Sequence, residues 1–135
     1  KAVSENGIRK LVELFEEEND LCLELGNYRP EEGSEHFFAY AAEHATGRHF
    51  VHGELVSLGI LLMSRLQQNR PEWVAHLLER LGVRYHPSDI GLERAELKEI
   101  LSALSKYCLD ENLPRTIIAE KDISAAVIEG LLQDL

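Results

Sequence analysis

No stretch of this chain stays apolar for the ~20 residues a helix needs to cross a bilayer, so a membrane span is not expected. Only two cysteines occur, Cys22 and Cys108, far apart and in no CxxC pair. That excludes a disulfide framework and a cysteine-built metal site, and leaves two buried, reduced thiols as the expectation. Basic residues are scarce as well: 14 Lys and Arg stand against 24 Asp and Glu, for a formal charge of −10. Such a field repels nucleic acid and anionic membrane surfaces, and neither is expected as a partner. Nucleotide-cradling signatures are missing too, with no GxGxxG, no GGGS-type loop and no strand–turn–helix unit. No nucleophile elbow is present either. The opening "KAVSENGIRK" lacks a signal-peptide core, which makes a cytoplasmic protein the expectation. It also begins abruptly, as if cut from something longer.

What is there reads as helix almost throughout. The 135 residues are 44% apolar and 28% charged, enough chain and enough apolar surface for one globular domain with its own core. Ser4 is a cap for a first helix that ends at Gly26, with Ile8, Leu11, Val12, Leu14, Phe15, Leu21, Leu23 and Leu25 as its apolar set. Its acid cluster, Glu16, Glu17, Glu18 and Asp20, reads as a solvated face. Ser34 caps "EHFFAYAAEHA", and the break at Thr46 and Gly47 ends it. From His52 the chain is apolar on nearly every side through Leu55 to Leu66, the pattern of a buried central helix. Pro71 opens and Gly82 closes the next helix, and "VRYHPSDIG" is a connection. A long amphipathic helix follows, with Leu92, Leu97, Ile100, Leu101, Leu104 and Cys108 in register. "LPRTII" can be extended, and Ser124 caps the last helix. The expected architecture is an all-α bundle of five to seven helices.

Four of the six histidines fall within residues 32–54. Either they are scattered polar positions on helix faces or some of them point at a metal. His76, on an amphipathic helix, and His86, in a loop, read as ordinary positions; His44 and His49 lie beside the Thr46–Gly47 break, where exposure is expected. His36 and His52 differ because each sits near the start of a helix just after small or turn residues. Two helices meeting at their first turns can aim two imidazoles into one cleft. A ring at the start of a buried apolar helix is expected to be desolvated and to need a partner, and Gly53 permits close approach beside it.

The segment "GSEHFFAYAAEHATGRHFVHGELVSLGI" resembles the metal-binding core of the C-terminal helical domain shared by iron-containing alcohol dehydrogenases, glycerol dehydrogenases, sn-glycerol-1-phosphate dehydrogenases and 3-dehydroquinate synthases. Its Gly33-Ser34-Glu35-His36 and His52-Gly53-Glu54 are most similar to the glycerol-1-phosphate dehydrogenase branch. "LGVRYHPSDIGLERAELKEIL" and "ENLPRTII" also resemble that branch, so the similarity runs along essentially the whole chain. The resemblance implies a dehydroquinate synthase-like helical bundle in which His36 and His52 are two of three protein ligands to a divalent zinc or iron ion. In the family that ion polarises a substrate hydroxyl while hydride passes to a nicotinamide. Glu35 and Glu54 flank the two ligands and either orient them from behind or are first-turn carboxylates beside a helix dipole. Many members carry a second His four residues after the first ligand. Here that place is Tyr40, which either faces the substrate or packs, and which argues mildly against dehydroquinate synthase chemistry.

The family's third ligand, an Asp or Glu, and its NAD- or NADP-binding half lie upstream of residue 1. The expectation is therefore that residues 1–135 form a single helical domain, the C-terminal metal-binding half of a longer two-domain enzyme, inactive alone. The parent would act on a small phosphorylated polyol or ketone, with Arg29, Arg48 and Arg115 as candidate phosphate partners. Two other readings stand beside it. One is a domain of a sugar-phosphate cyclase of the dehydroquinate synthase type; the other is a non-catalytic helical interaction module. Under either view an apolar face left by the missing domain favours self-association into a homo-oligomer.

Overall fold

The computed structural model describes residues 3–135 and is all-α: seven α-helices, one 3-10 turn and no strand among the described residues. The chain divides into two compact units, Lys1–Gly33 and Ser34–Leu135.

The first unit is built on α1 (Glu5–Leu25). Ser4 is extended at φ −89°, ψ 154°, and its Oγ accepts the Gly7 N–H at 3.1 Å, satisfying one of the donors a helix start leaves over. At the other end Gly26 takes φ 66°, a left-handed conformation costly for a residue with a Cβ, and Asn27 N–H reaches back to the Cys22 carbonyl at 3.1 Å. Ion pairs from Arg9 to Glu5 and from Lys10 to Glu13 run along exposed positions, where each contributes a few tenths of a kcal/mol at most (about 0.3–0.5). The acid cluster is largely solvated, as the charge pattern predicts, with Glu18 half-buried. The apolar set is not buried: all eight of its residues are exposed, from Leu14 at 48% to Leu23 at 71%, and Cys22 alone is buried.

The second unit holds the core. Its helices are α2 (Ser34–Thr46), α3 (His52–Gln67), α4 (Pro71–Leu81), α5 (Pro87–Ile90), α6 (Arg94–Asp110) and α7 (Ala125–Leu131), with a 3-10 turn at Ile117–Ala119. Helix α3 is central and packs against α2, α4, α5 and α7, while α6 packs against α2 and α7. Nine of its sixteen residues are buried, Leu55, Leu58, Leu61 and Leu62 almost completely. At ~1.5–3 kcal/mol for each fully buried large apolar side chain, this one helix supplies much of the burial energy of the unit. Phe38, Leu97, Ile100, Leu101, Leu104, Ile118 and Leu132 are the largest fully buried side chains that the rest of the unit adds to the main core. Leu61 of α3, Leu78 of α4 and Tyr85 of the α4–α5 connection form a smaller cluster.

Local differences from the sequence reading have simple causes. Helix α2 includes Ser34 as its first residue, and Ser124 stands at the α7 cap without a side-chain hydrogen bond. Pro87 starts a single helical turn inside the connection, because a fixed φ and a spare N–H suit a first helical position. "LPRTII" contains no strand: Thr116 Oγ1 accepts from Ile118 N–H at 3.3 Å and starts a 3-10 turn instead. Both cysteines are free, with Cys22 buried and Cys108 half-buried.

The end of the unit is fastened by arginines. Arg65 of α3 donates to the carbonyls of Leu131 and Gln133 at 2.6 and 2.7 Å. Arg94 of α6 donates to the Leu132 carbonyl at 2.6 Å and to Glu129 at 3.1 Å. The carbonyls that a helix C-terminus leaves without partners are thus met by guanidinium groups from two other helices.

Candidate metal centre

Helices α2 and α3 bring His36 and His52 together. Their rings stand 5.2 Å apart between centroids and are tilted 39°. Each is in the first turn of its helix, and the sixteen-residue interval is spanned by the rest of α2 and a short return loop. The return is firmly tied. Thr46 Oγ1 bonds to the Ala42 carbonyl at 2.7 Å, and Glu43 Oε1 accepts the Phe50 N–H at 3.1 Å. Arg48 donates to the Gly91 carbonyl at 2.8 Å and to Glu96 Oε1 at 2.7 Å, with its guanidinium over the Phe50 ring.

Around the pair, Glu35 Oε1 lies 3.0 Å from His36 Nδ1. When Nδ1 carries the proton it donates to this carboxylate, which leaves the Nε2 lone pair as the acceptor. The His36 side chain is 16% exposed. His52 is exposed, so the expectation of a desolvated ring fails for it: the burial of α3 begins at Leu55, one turn later. Tyr40, one turn after His36, has its ring 6.2 Å from the imidazole and also packs near Phe37 at 6.4 Å. Glu54 lies 3.7 Å from Arg84 Nη1, and Arg84 also donates to the Asp89 carbonyl. Gly53 opens onto free space.

The donor set fits a shared ion as far as it goes. Two imidazoles on one tetrahedral zinc, with nitrogens about 2.0–2.1 Å from it, have centroids roughly 5 Å apart, close to the separation seen here. Among the described residues no group of three or more His, Cys, Asp and Glu side chains is arranged to hold a metal.

The remaining histidines stand elsewhere. His44, His49 and His76 are exposed and His86 is half-buried; His44 lies tilted against Tyr107 at 5.2 Å between centroids, and His86 against Tyr85 at 5.0 Å. Of the candidate phosphate partners, Arg48 is committed to Gly91 and Glu96, and Arg115 lies 3.7 Å from Glu120. Arg29 belongs to the first unit, where its N–H bonds Asn27 Oδ1 at 3.0 Å. Sequence reasoning missed Arg84, which carries no local signal, and Gly59, which does. A glycine inside an apolar helical run marks a close backbone approach. A Cβ on Gly59 would stand 2.6 Å from the Glu35 carbonyl oxygen.

No helix among the described residues is long and apolar enough to cross a membrane. No family model and no solved structure matches the chain. Curated relatives do. A glycerol-1-phosphate dehydrogenase, NAD(P)+, of Thermoplasma volcanium is 32% identical over 99 residues, 73% of this chain and 27% of the relative. Its namesake in Saccharolobus solfataricus is 32% identical over 96 residues, 71% and 27% of the two chains. That of Aeropyrum pernix is 29% identical over 126 residues, 93% and 35%. Over most of its length the chain is homologous to the glycerol-1-phosphate dehydrogenases, and it spans about a quarter to a third of the length of the curated relatives it matches.

Proposed function

We propose that this chain is the metal-binding helical domain, the C-terminal part, of an NAD(P)-dependent polyol-phosphate dehydrogenase acting on glycerol 1-phosphate or a close analogue. The observation that carries the proposal is the meeting of His36 and His52 from two separate helix starts at 5.2 Å. Homology to enzymes named for that substrate supports the same reading. His36 and His52 hold a divalent ion, zinc or iron, and a carboxylate from the remainder of a longer chain completes the set. When bound, the ion supplies Lewis acidity to a substrate hydroxyl.

The chain's own residues do the rest of the work at this end of the site. Glu35 fixes the orientation of the His36 ring through Nδ1. Glu54, steadied by Arg84, keeps negative charge beside the first turn of α3. Tyr40 lines the substrate side one turn beyond His36. NAD or NADP binds in the part of the enzyme outside these residues, so this chain has no turnover by itself. Tyr40, in place of a further histidine, and the names of the relatives favour a dehydrogenase over a sugar-phosphate cyclase.

The test is a Zn2+ titration of the chain followed by imidazole NMR, with His36→Ala and His52→Ala alongside, and NAD(P)+-dependent oxidation of glycerol 1-phosphate by the longer protein. Both rings should respond to one zinc equivalent, and either alanine should abolish the response and the longer protein's turnover. Zinc-independent rings would return the chain to the class of helical interaction modules.

A further inference from the structure

We infer that Gly59 and Arg48 are positioning residues that preset the separation of the two histidines, so that the pair is built before any ion arrives. The inference rests on the reading of His36 and His52 as metal ligands. Gly59 follows His52 by seven residues and therefore shares its face of α3. That face meets the backbone of Glu35, the residue before His36. A Cβ at Gly59 would lie 2.6 Å from the Glu35 carbonyl oxygen, 3.1 Å from its Cα and 3.2 Å from its carbonyl carbon. These are backbone atoms of a helix, which cannot swing aside like the tip of a long side chain. Glycine thus lets the first turn of α2 settle directly onto α3, and the depth of that seat fixes how far His36 stands from His52.

The other end of the α2–α3 pair is closed by Arg48. From the return loop it grips the Gly91 carbonyl and Glu96, both outside the pair, and Glu43 pins the Phe50 N–H two residues before His52. One brace sets the start of α2 against the middle of α3; the other sets the loop that delivers the start of α3. Ordinary van der Waals contact at Gly59 begins at 3.4 Å, so an added methyl moves the first turn of α2 outward by on the order of 0.5–1 Å. Site geometry is held to about 0.5 Å in working sites, and interiors transmit such a shift rather than absorb it.

The experiment compares the parent chain with Gly59→Ala, Arg48→Gln and Gly130→Ala. Gly130 is also helical, but a Cβ there meets nothing within 4 Å. Zn2+ is the probe, read from the His36 and His52 ring nitrogens well below the melting temperature, with helix content checked by circular dichroism. Gly59→Ala should weaken zinc about tenfold or more, in the range of losses seen when supports behind metal ligands are removed. Arg48→Gln should weaken it in the same direction, and Gly130→Ala should match the parent. Equal zinc affinity in folded Gly59→Ala overturns the positioning role of Gly59 while leaving the metal reading intact. If Gly59→Ala does not fold, Arg48→Gln decides alone: weakened binding supports the brace and unchanged binding overturns it. A parent chain whose rings ignore zinc overturns the metal reading itself, and the inference with it.

Discussion

Arg48 Nη2 stands 2.7 Å from Glu96 Oε1, joining the loop before α3 to the first turn of α6 across 48 positions of sequence. The Glu93 N–H bonded to the same carboxyl is the larger cause, and the Arg48 guanidinium the next, of a Glu96 pKa held below the usual carboxylate value. A lowered folded pKa means that the contact stabilises the fold above the ordinary carboxylate range and loses that contribution as pH falls through the lowered value. Arg48→Gln should move the Glu96 titration partway back toward the ordinary range, followed by carboxyl 13C NMR. Glu129 behaves in the same sense, held down by Lys98 first and Arg94 second, so Lys98→Met should raise its midpoint. An unchanged Glu129 midpoint in that variant would remove the ion pair from the account.

Zinc should raise the thermal stability of the chain. An ion that binds only the folded pair stabilises it by about 2.7 kcal/mol at a hundred times its Kd. The gain should disappear with EDTA and in His36→Ala, and it should shrink on acidification because protons compete for the ring nitrogens. Differential scanning calorimetry with and without the metal measures all three.

Core and α1 leucines should respond very differently to truncation. Leu58 and Leu101 are fully buried, and alanine at either should cost about 2–5 kcal/mol. Leu23 is 71% exposed, and alanine there should change stability by no more than about 0.5 kcal/mol. Urea unfolding of the three variants compares them directly. A large cost at Leu23 would mean that α1 buries its apolar side against another surface in solution.

Burial pushes the Cys108 thiol above its ordinary pKa. At neutral pH it should therefore alkylate slowly in the native protein and at the ordinary rate in urea, since the thiolate is the reacting form. Mass spectrometry of timed iodoacetamide quenches separates Cys108 from Cys22.

Most of the bundle was legible because its helices are marked twice, by apolar spacing and by their stops. Gly26 and Gly82 close their helices in left-handed conformations as their positions suggest, and Pro71 opens α4. The run from Leu55 to Leu66 is central, as a helix apolar on nearly every side must be, and Ile60 is its one exposed large apolar side chain. Periodicity failed at α1, where an apolar set as good as any other faces solvent; spacing states that a face is sticky, not what covers it. In the candidate site, the meeting of His36 and His52 could be read from the two helix starts and the Glu35 contact from its place beside His36; the long-range partners could not. Arg84 reaches Glu54 across 30 residues and Arg48 reaches Glu96 across 48, distances at which one-dimensional patterns carry no information. The exposure of His52 was misjudged because burial along α3 starts a turn after the helix does.

The arginine clasp at Leu131–Gln133 bears on how the chain is made. Arg65 leaves the ribosome nearly seventy residues before the carbonyls it binds, and Leu132, wholly buried in the core, emerges with them. During synthesis α3 must wait, with part of its apolar surface uncovered, until the last turn has cleared the exit tunnel. Translation that stalls or stops short of residue 131 should therefore release a sticky, chaperone-dependent nascent chain rather than a smaller folded domain.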